Sequence, residues 1–150
     1  VTGSDLLDLC DELVTVIQGL IGSGEDITVS RAYRQELNLG KFTGRQIKVF
    51  PKSYTSPSVI TRREVSWLVS LIIVIAERYV GDGYPPDSWT DERIVWVEQN
   101  IFDVFGNVEP FRLGKYWCET ADVTVAYDYN LLTEDKVFWS EVELGFMAVV

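Results

Sequence analysis

With 150 residues, 47% of them hydrophobic and 13% aromatic, the chain has enough material for one domain with a real core and lies far from the composition of disordered segments. Its net charge of −10 argues against a protein whose main task is to grip nucleic acid, because such binding depends on Lys and Arg displacing phosphate counterions. Histidine is absent, which removes Ser/His and Cys/His nucleophile pairs and the commonest metal ligand together.

In residues 4–21, Leu6, Cys10, Leu13, Ile17 and Leu20 recur at alternating four- and three-residue steps, the mark of an amphipathic helix. Ser4 suits the cap, Asp5 and Asp8 favour the positive end of the helix dipole, and Gly22-Ser23-Gly24 supplies the stop. Ile27, Val29 and Arg31 then alternate with Thr28 and Ser30 as a strand does, and residues 46–50 (QIKVF) repeat the signal until Pro51 ends it. The polar connection at 35–44, with Asn38, Gly40 and Gly44, makes these two the arms of a basic hairpin with a long loop.

Residues 62–79 are apolar on both alternating sets, so both faces need cover, and the β-branched Ile72, Ile73, Val74 and Ile75 favour a central strand over a buried helix. Residues 81–87 (GDGYPPD) break the chain. Ser88 or Thr90 then caps a second helix with the stripe Ile94, Val97, Ile101 and Val104, ended by Gly106. Val123, Val125 and Tyr127 alternate with Asp122, Thr124 and Asp128, while Phe138, Val142, Leu144 and Phe146 oppose Trp139, Glu141 and Glu143, giving two half-buried strands. The order α-β-β-β-α-β-β predicts a single α+β domain over 1–150: a largely antiparallel, mixed five-stranded sheet with two helices on one face.

The second face is expected to be partly polar, carrying the acidic surface Asp122, Asp128, Glu141 and Glu143. Trp139 shares that parity, so it is exposed unless another chain covers it. The apolar run at 65–76 is too short to span a bilayer, and the first residues are acidic where a secretory leader is basic, so an intracellular protein with no membrane partner is expected.

A search for chemistry finds none. Carboxylate neighbours such as Asp8 with Asp11 or Glu12, and Glu141 with Glu143, read as solvated faces. The glycine pairs at 22–24 and 81–83 lack the lysine of a phosphate loop, and Asp82, Asp87 and Asp91 lack calcium-loop spacing. Cys10 and Cys118 read as small buried hydrophobes, with neither zinc nor disulfide spacing. No catalytic residue, metal ligand or cofactor site is indicated.

Charge is the strongest positional signal. Eight of the thirteen basic residues, Arg31, Arg34, Lys41, Arg45, Lys48, Lys52, Arg62 and Arg63, fall in one stretch with a single acid, Glu36, giving a local net charge of +7. Two readings follow: an interface that pairs with acidic surface on a neighbouring copy, or a hairpin face whose charges are matched within the monomer.

Through DITVSRAYR (26–34), IKVFP (47–51), RREVSWLVSLIIVI (62–75) and EVELGFMAVV (141–150), the chain resembles the tail terminator and tail completion proteins of long-tailed bacteriophages, which belong to the virion neck. The likeness covers almost the whole chain and lies in element order and strand character. It implies a non-enzymatic ring, usually hexameric, assembled in the host cytoplasm and placed in the virion. Such a ring caps the tail tube protein, docks on the head-side connector protein, and lets genomic DNA pass its lumen without specific binding. It carries over no catalytic residue and no cofactor. Other neck proteins such as head-completion proteins use comparable folds, and a monomeric module holding an acidic partner by the basic hairpin is the alternative from a different class.

Overall fold

The computed structural model describes residues 3–21, 26–33, 43–59, 65–106 and 111–149. Helix α1 (Gly3–Ile21) buries Leu6, Leu9, Cys10, Leu13 and Ile17 along one side, while Leu20 in its last turn is half exposed. The expected Ser4 cap and the 22–24 stop lie outside the residues whose side chains are described.

Among the described residues six strands form one sheet in the order β1-β2-β3-β6-β5-β4, where β1 is Ile27–Arg31, β2 Arg45–Val59, β3 Val65–Arg78, β4 Arg112–Leu113, β5 Tyr116–Val125 and β6 Val137–Val149. All neighbours are antiparallel except β1 and β2, which run parallel, Val29 beside Ile47. Two expectations are corrected here. The sheet has six strands rather than five, because a two-residue hairpin over Gly114 and Lys115 adds β4; its Gly114 takes φ 58°, as the tight turn demands. And β1 with β2 is not a hairpin, since a parallel pair needs a crossover instead of a turn. The hairpin partner of β2 is β3.

β2 also continues through Pro51 to Val59. β1 pairs β2 only from Arg45 to Val49, so at Pro51 the outer edge has no strand beside it among the described residues, and the next residue is the extra one of a bulge. A missing N–H is tolerated there.

The two faces of β3 are both covered, as its double apolar set requires. Val69, Leu71, Ile73 and Ile75 lie with Phe138, Val142, Leu144 and Phe146 of β6 and Ile47 and Val49 of β2 in one fully buried cluster with α1. The other side of that cluster is closed by α2 (Asp87–Val97), a π-helical turn (Glu98–Phe102) and α3 (Asp103–Phe105). Within this continuous segment the wider π turn aligns residues four apart, so Val97, Ile101 and Phe105 are buried where a pure α-helix would present Val104. Helix α2 starts on Pro86 without a side-chain cap, so Ser88 and Thr90 lie inside it. Both long helices pack on the same face.

On the second face a smaller cluster joins Val74, Ala76 and Trp139 to Phe50, Ile72 and Leu131. Leu131 belongs to α4 (Tyr129–Glu134), a one-and-a-half-turn helix capped by Asp128, whose carboxylate accepts from Leu131 N–H at 3.0 Å.

Candidate assembly surfaces

Four of the eight island residues are described, and all four have a partner inside the chain: a carboxylate for Arg31, Arg45 and Lys52, and a hydroxyl for Lys48. Arg31, at the end of β1, reaches α1: its Nη1 lies 3.1 Å from Asp11 Oδ2. Lys52, the extra residue of the β2 bulge, crosses β3 to Glu143 on β6, Nζ to Oε1 2.6 Å. Lys48 donates from Nζ to Ser30 Oγ at 2.7 Å. Arg34, Lys41, Arg62 and Arg63 lie outside the described residues.

Arg45 is the clearest correction. Its side chain is 13% exposed, 3.3 Å from Glu77 Oε1, with its guanidinium 4.2 Å from the Trp96 ring centroid. Glu77 also pairs with Arg93 Nε, and Arg93 lies 4.2 Å from the Trp89 ring centroid. One carboxylate thus holds two guanidiniums, each backed by an indole of α2, and pins that helix to the end of β3. This is a packing device that anchors the fold, and reversing Arg45 would set two carboxylates against each other in a largely dry place. The signal for it was present in Glu77, an acid closing an apolar strand, but its partners lie on two other elements.

Trp139, expected to be exposed unless another chain covers it, is likewise buried within the chain. Only 7% exposed, it is covered by the chain's own α4 through Leu131, and its Nε1 donates to Glu141 Oε1 at 3.4 Å. Of the expected acidic surface, Asp128 lies past the end of β5 as a helix cap, whereas Asp122 and Glu143 stand opposite one another in register. Thr124 is the extra residue of a second bulge, which brings Val125 opposite Glu141.

Following the register across the second face gives two rows. One runs Lys48, Val74, Glu141; the other runs Phe50, Ile72, Glu143, Asp122. With Lys52 beside them on β2, the face is basic toward β1, apolar along β3 and acidic toward β5. The two lateral edges differ as well. Beyond β1 no strand follows among the described residues, and beyond the first two residues of β5 its outer edge has no ladder partner among them either.

The described residues contain no three carboxylates or thiols placed to hold a metal ion; Asp82, Asp87 and Asp91 are all exposed. No described helix is long and apolar enough to cross a membrane. Both cysteines are free and buried, and burial pushes each thiol up to about 11 from 9.0. The chain matches no protein-family model and no curated protein sequence.

Proposed function

We propose that this chain is a structural ring subunit of the tail-terminator kind, acting through shape and assembly rather than chemistry. The observation that carries the reading is the lateral polarity of the sheet: two unlike edges, each without a further ladder partner among the described residues, with charge changing sign between them. A head-to-tail ring needs two different, complementary surfaces on every copy, and open strand edges supply backbone donors and acceptors for such joining. The sequence resemblance adds the setting, a hexameric ring between tail tube and head-side connector with DNA passing through it in the virion.

The internal pairing of Arg31, Arg45 and Lys52 weakens the rival reading, a monomeric grip on an acidic partner, and favours the sheet face, with Lys48 and Lys52 of the island on its basic side, as the assembly surface. Lys48→Glu with Lys52→Glu is therefore the discriminating variant. An exposed pair such as Lys52 with Glu143 is worth about 0–1 kcal/mol, so the monomer should stay folded. Sedimentation velocity and negative-stain microscopy, with and without tail tube protein, should show rings for the wild type and none for the variant. Salt near about 0.5 M should act in the same direction by screening exposed charge. Rings of normal size from the variant would remove the sheet polarity as the basis of assembly.

A further inference from the structure

Away from these surfaces, α1 and the β4–β5 hairpin flank a small, half-open anionic cleft of about 170 Å³, in which Asp8 and Glu12 are exposed. Asp5, Asp8 and Glu12 line it from α1, at spacings of three and four residues that place them on one side of the helix. The hairpin supplies Lys115 and Tyr116. Tyr116 is 6% exposed, and its Oη is sealed from solvent without a hydrogen-bond partner among the described residues. A buried hydroxyl in that state is uncommon, because it has lost its water without a replacement. Burial first, then the charges of Asp5, Glu12 and Asp8, hold its pKa above the ordinary 10.0, so the hydroxyl stays neutral and keeps its acceptor lone pairs.

Lys115 Nζ stands 5.4 Å from the Tyr116 ring centroid and makes no ion pair among those described. A bare metal ion does not suit the walls, since no three of the described carboxylates converge for one. What fits an acceptor hydroxyl, an aromatic ring and dispersed carboxylates is a larger cation with several directed N–H donors.

We propose that this cleft receives one guanidinium or primary ammonium group, with Tyr116 Oη accepting a hydrogen bond and Asp5, Asp8 and Glu12 supplying the counter-charge. The same group is carried by a free polyamine and by an Arg or Lys side chain of a second copy of this chain. The second source rests on the ring reading; the first does not.

The test is an amide-resolved NMR titration of the whole protein with agmatine, against magnesium chloride at matched ionic strength. Saturable shifts confined to residues 5–12 and 113–117 are expected with agmatine and none with magnesium. Tyr116→Phe, which removes only the unsatisfied hydroxyl and so should fold, is expected to weaken binding about tenfold. Asp8→Asn with Glu12→Gln should abolish it. Shifts that are linear, scattered, equal with magnesium, or unchanged in both variants would overturn the proposal. Sedimentation then separates the sources: self-association of the wild type that agmatine competes away and that Asp8→Asn with Glu12→Gln loses identifies a second copy. Self-association indifferent to both, beside saturable agmatine binding, identifies a free amine. If the wild type never associates while agmatine binds, the cleft stands and the ring reading falls.

Discussion

Removing Glu77 should cost more than removing either arginine it holds. The three side chains are 13–17% exposed, so their charges are largely desolvated, yet the exchange is not symmetrical. Glu77→Ala leaves two guanidiniums near each other without their shared anion, a loss of about 3 kcal/mol, at the lower end for breaking a buried pair because some solvent remains. Arg45→Ala leaves Glu77 still held by Arg93, and forfeits one charged hydrogen bond and the stacking on Trp96, about 1–2 kcal/mol. Arg93→Ala falls between, since it also releases the bond from its Nη1 to Trp89 C=O at 3.1 Å. In urea, with a slope of about 2 kcal/mol per molar, Glu77→Ala should move the midpoint down by roughly 1.5 M. Replacing all three together by Met, Leu and Met should restore most of the loss, because no unpaired charge is then buried. If Glu77→Ala were no worse than Arg45→Ala, the shared-anion account would be wrong and the indole packing would have to carry the helix.

Three further outcomes are expected. Ile73→Asp should give no cooperative melt, since Ile73 is fully buried and an unpaired carboxylate there costs on the order of the whole 5–15 kcal/mol stability margin, whereas Ile73→Val should fold with about 1 kcal/mol lost. Because Cys10 and Cys118 titrate near 11 when folded and 9.0 when unfolded, their contribution is complete below pH 9 and drains away as pH rises from 9 toward 11; urea midpoints across that window should fall less steeply in Cys10→Ala with Cys118→Ala. Gly44→Ala should destabilise by about 1–3 kcal/mol in the same assay, because φ is 70° and the new Cβ would stand 2.6 Å from the Asp26 carbonyl oxygen.

Period made much of this fold legible. The α1 stripe from Leu6 to Ile17, the doubly apolar β3 and the alternation of β6 needed only the geometry of single elements, and each stands where its pattern puts it; Leu20, at the end of the α1 stripe, is half exposed. What failed depended on partners remote in the chain. Nothing in Ile27–Arg31 distinguishes a parallel neighbour from a hairpin arm, since the choice is made by β3 taking the antiparallel edge of β2. Trp139 was misplaced because its cover is a six-residue helix too short to show a period, announced only by the cap Asp128. Arg45 counted as one charge among eight until Glu77 and Trp96 were brought against it. Tyr116 follows Gly114 and Lys115, a two-residue turn signal that would have marked the hairpin but not the carboxylates of α1 facing it.

The position of β6 has a consequence for how the chain must be made. This strand is the last described along the chain yet lies inside the sheet, between β3 and β5. During synthesis, α1, β1, β2 and β3 therefore emerge as a partial sheet whose β3 edge and apolar side chains wait for a neighbour, while the β4–β5 hairpin has no sheet strand to join until β6 arrives. A nascent chain held in that state presents an unpaired strand edge to other nascent chains, the usual route to aggregation. Ribosome-bound chains stalled before Val137 should accordingly recruit chaperones, and release of the finished chain should bring the two halves together in one cooperative step.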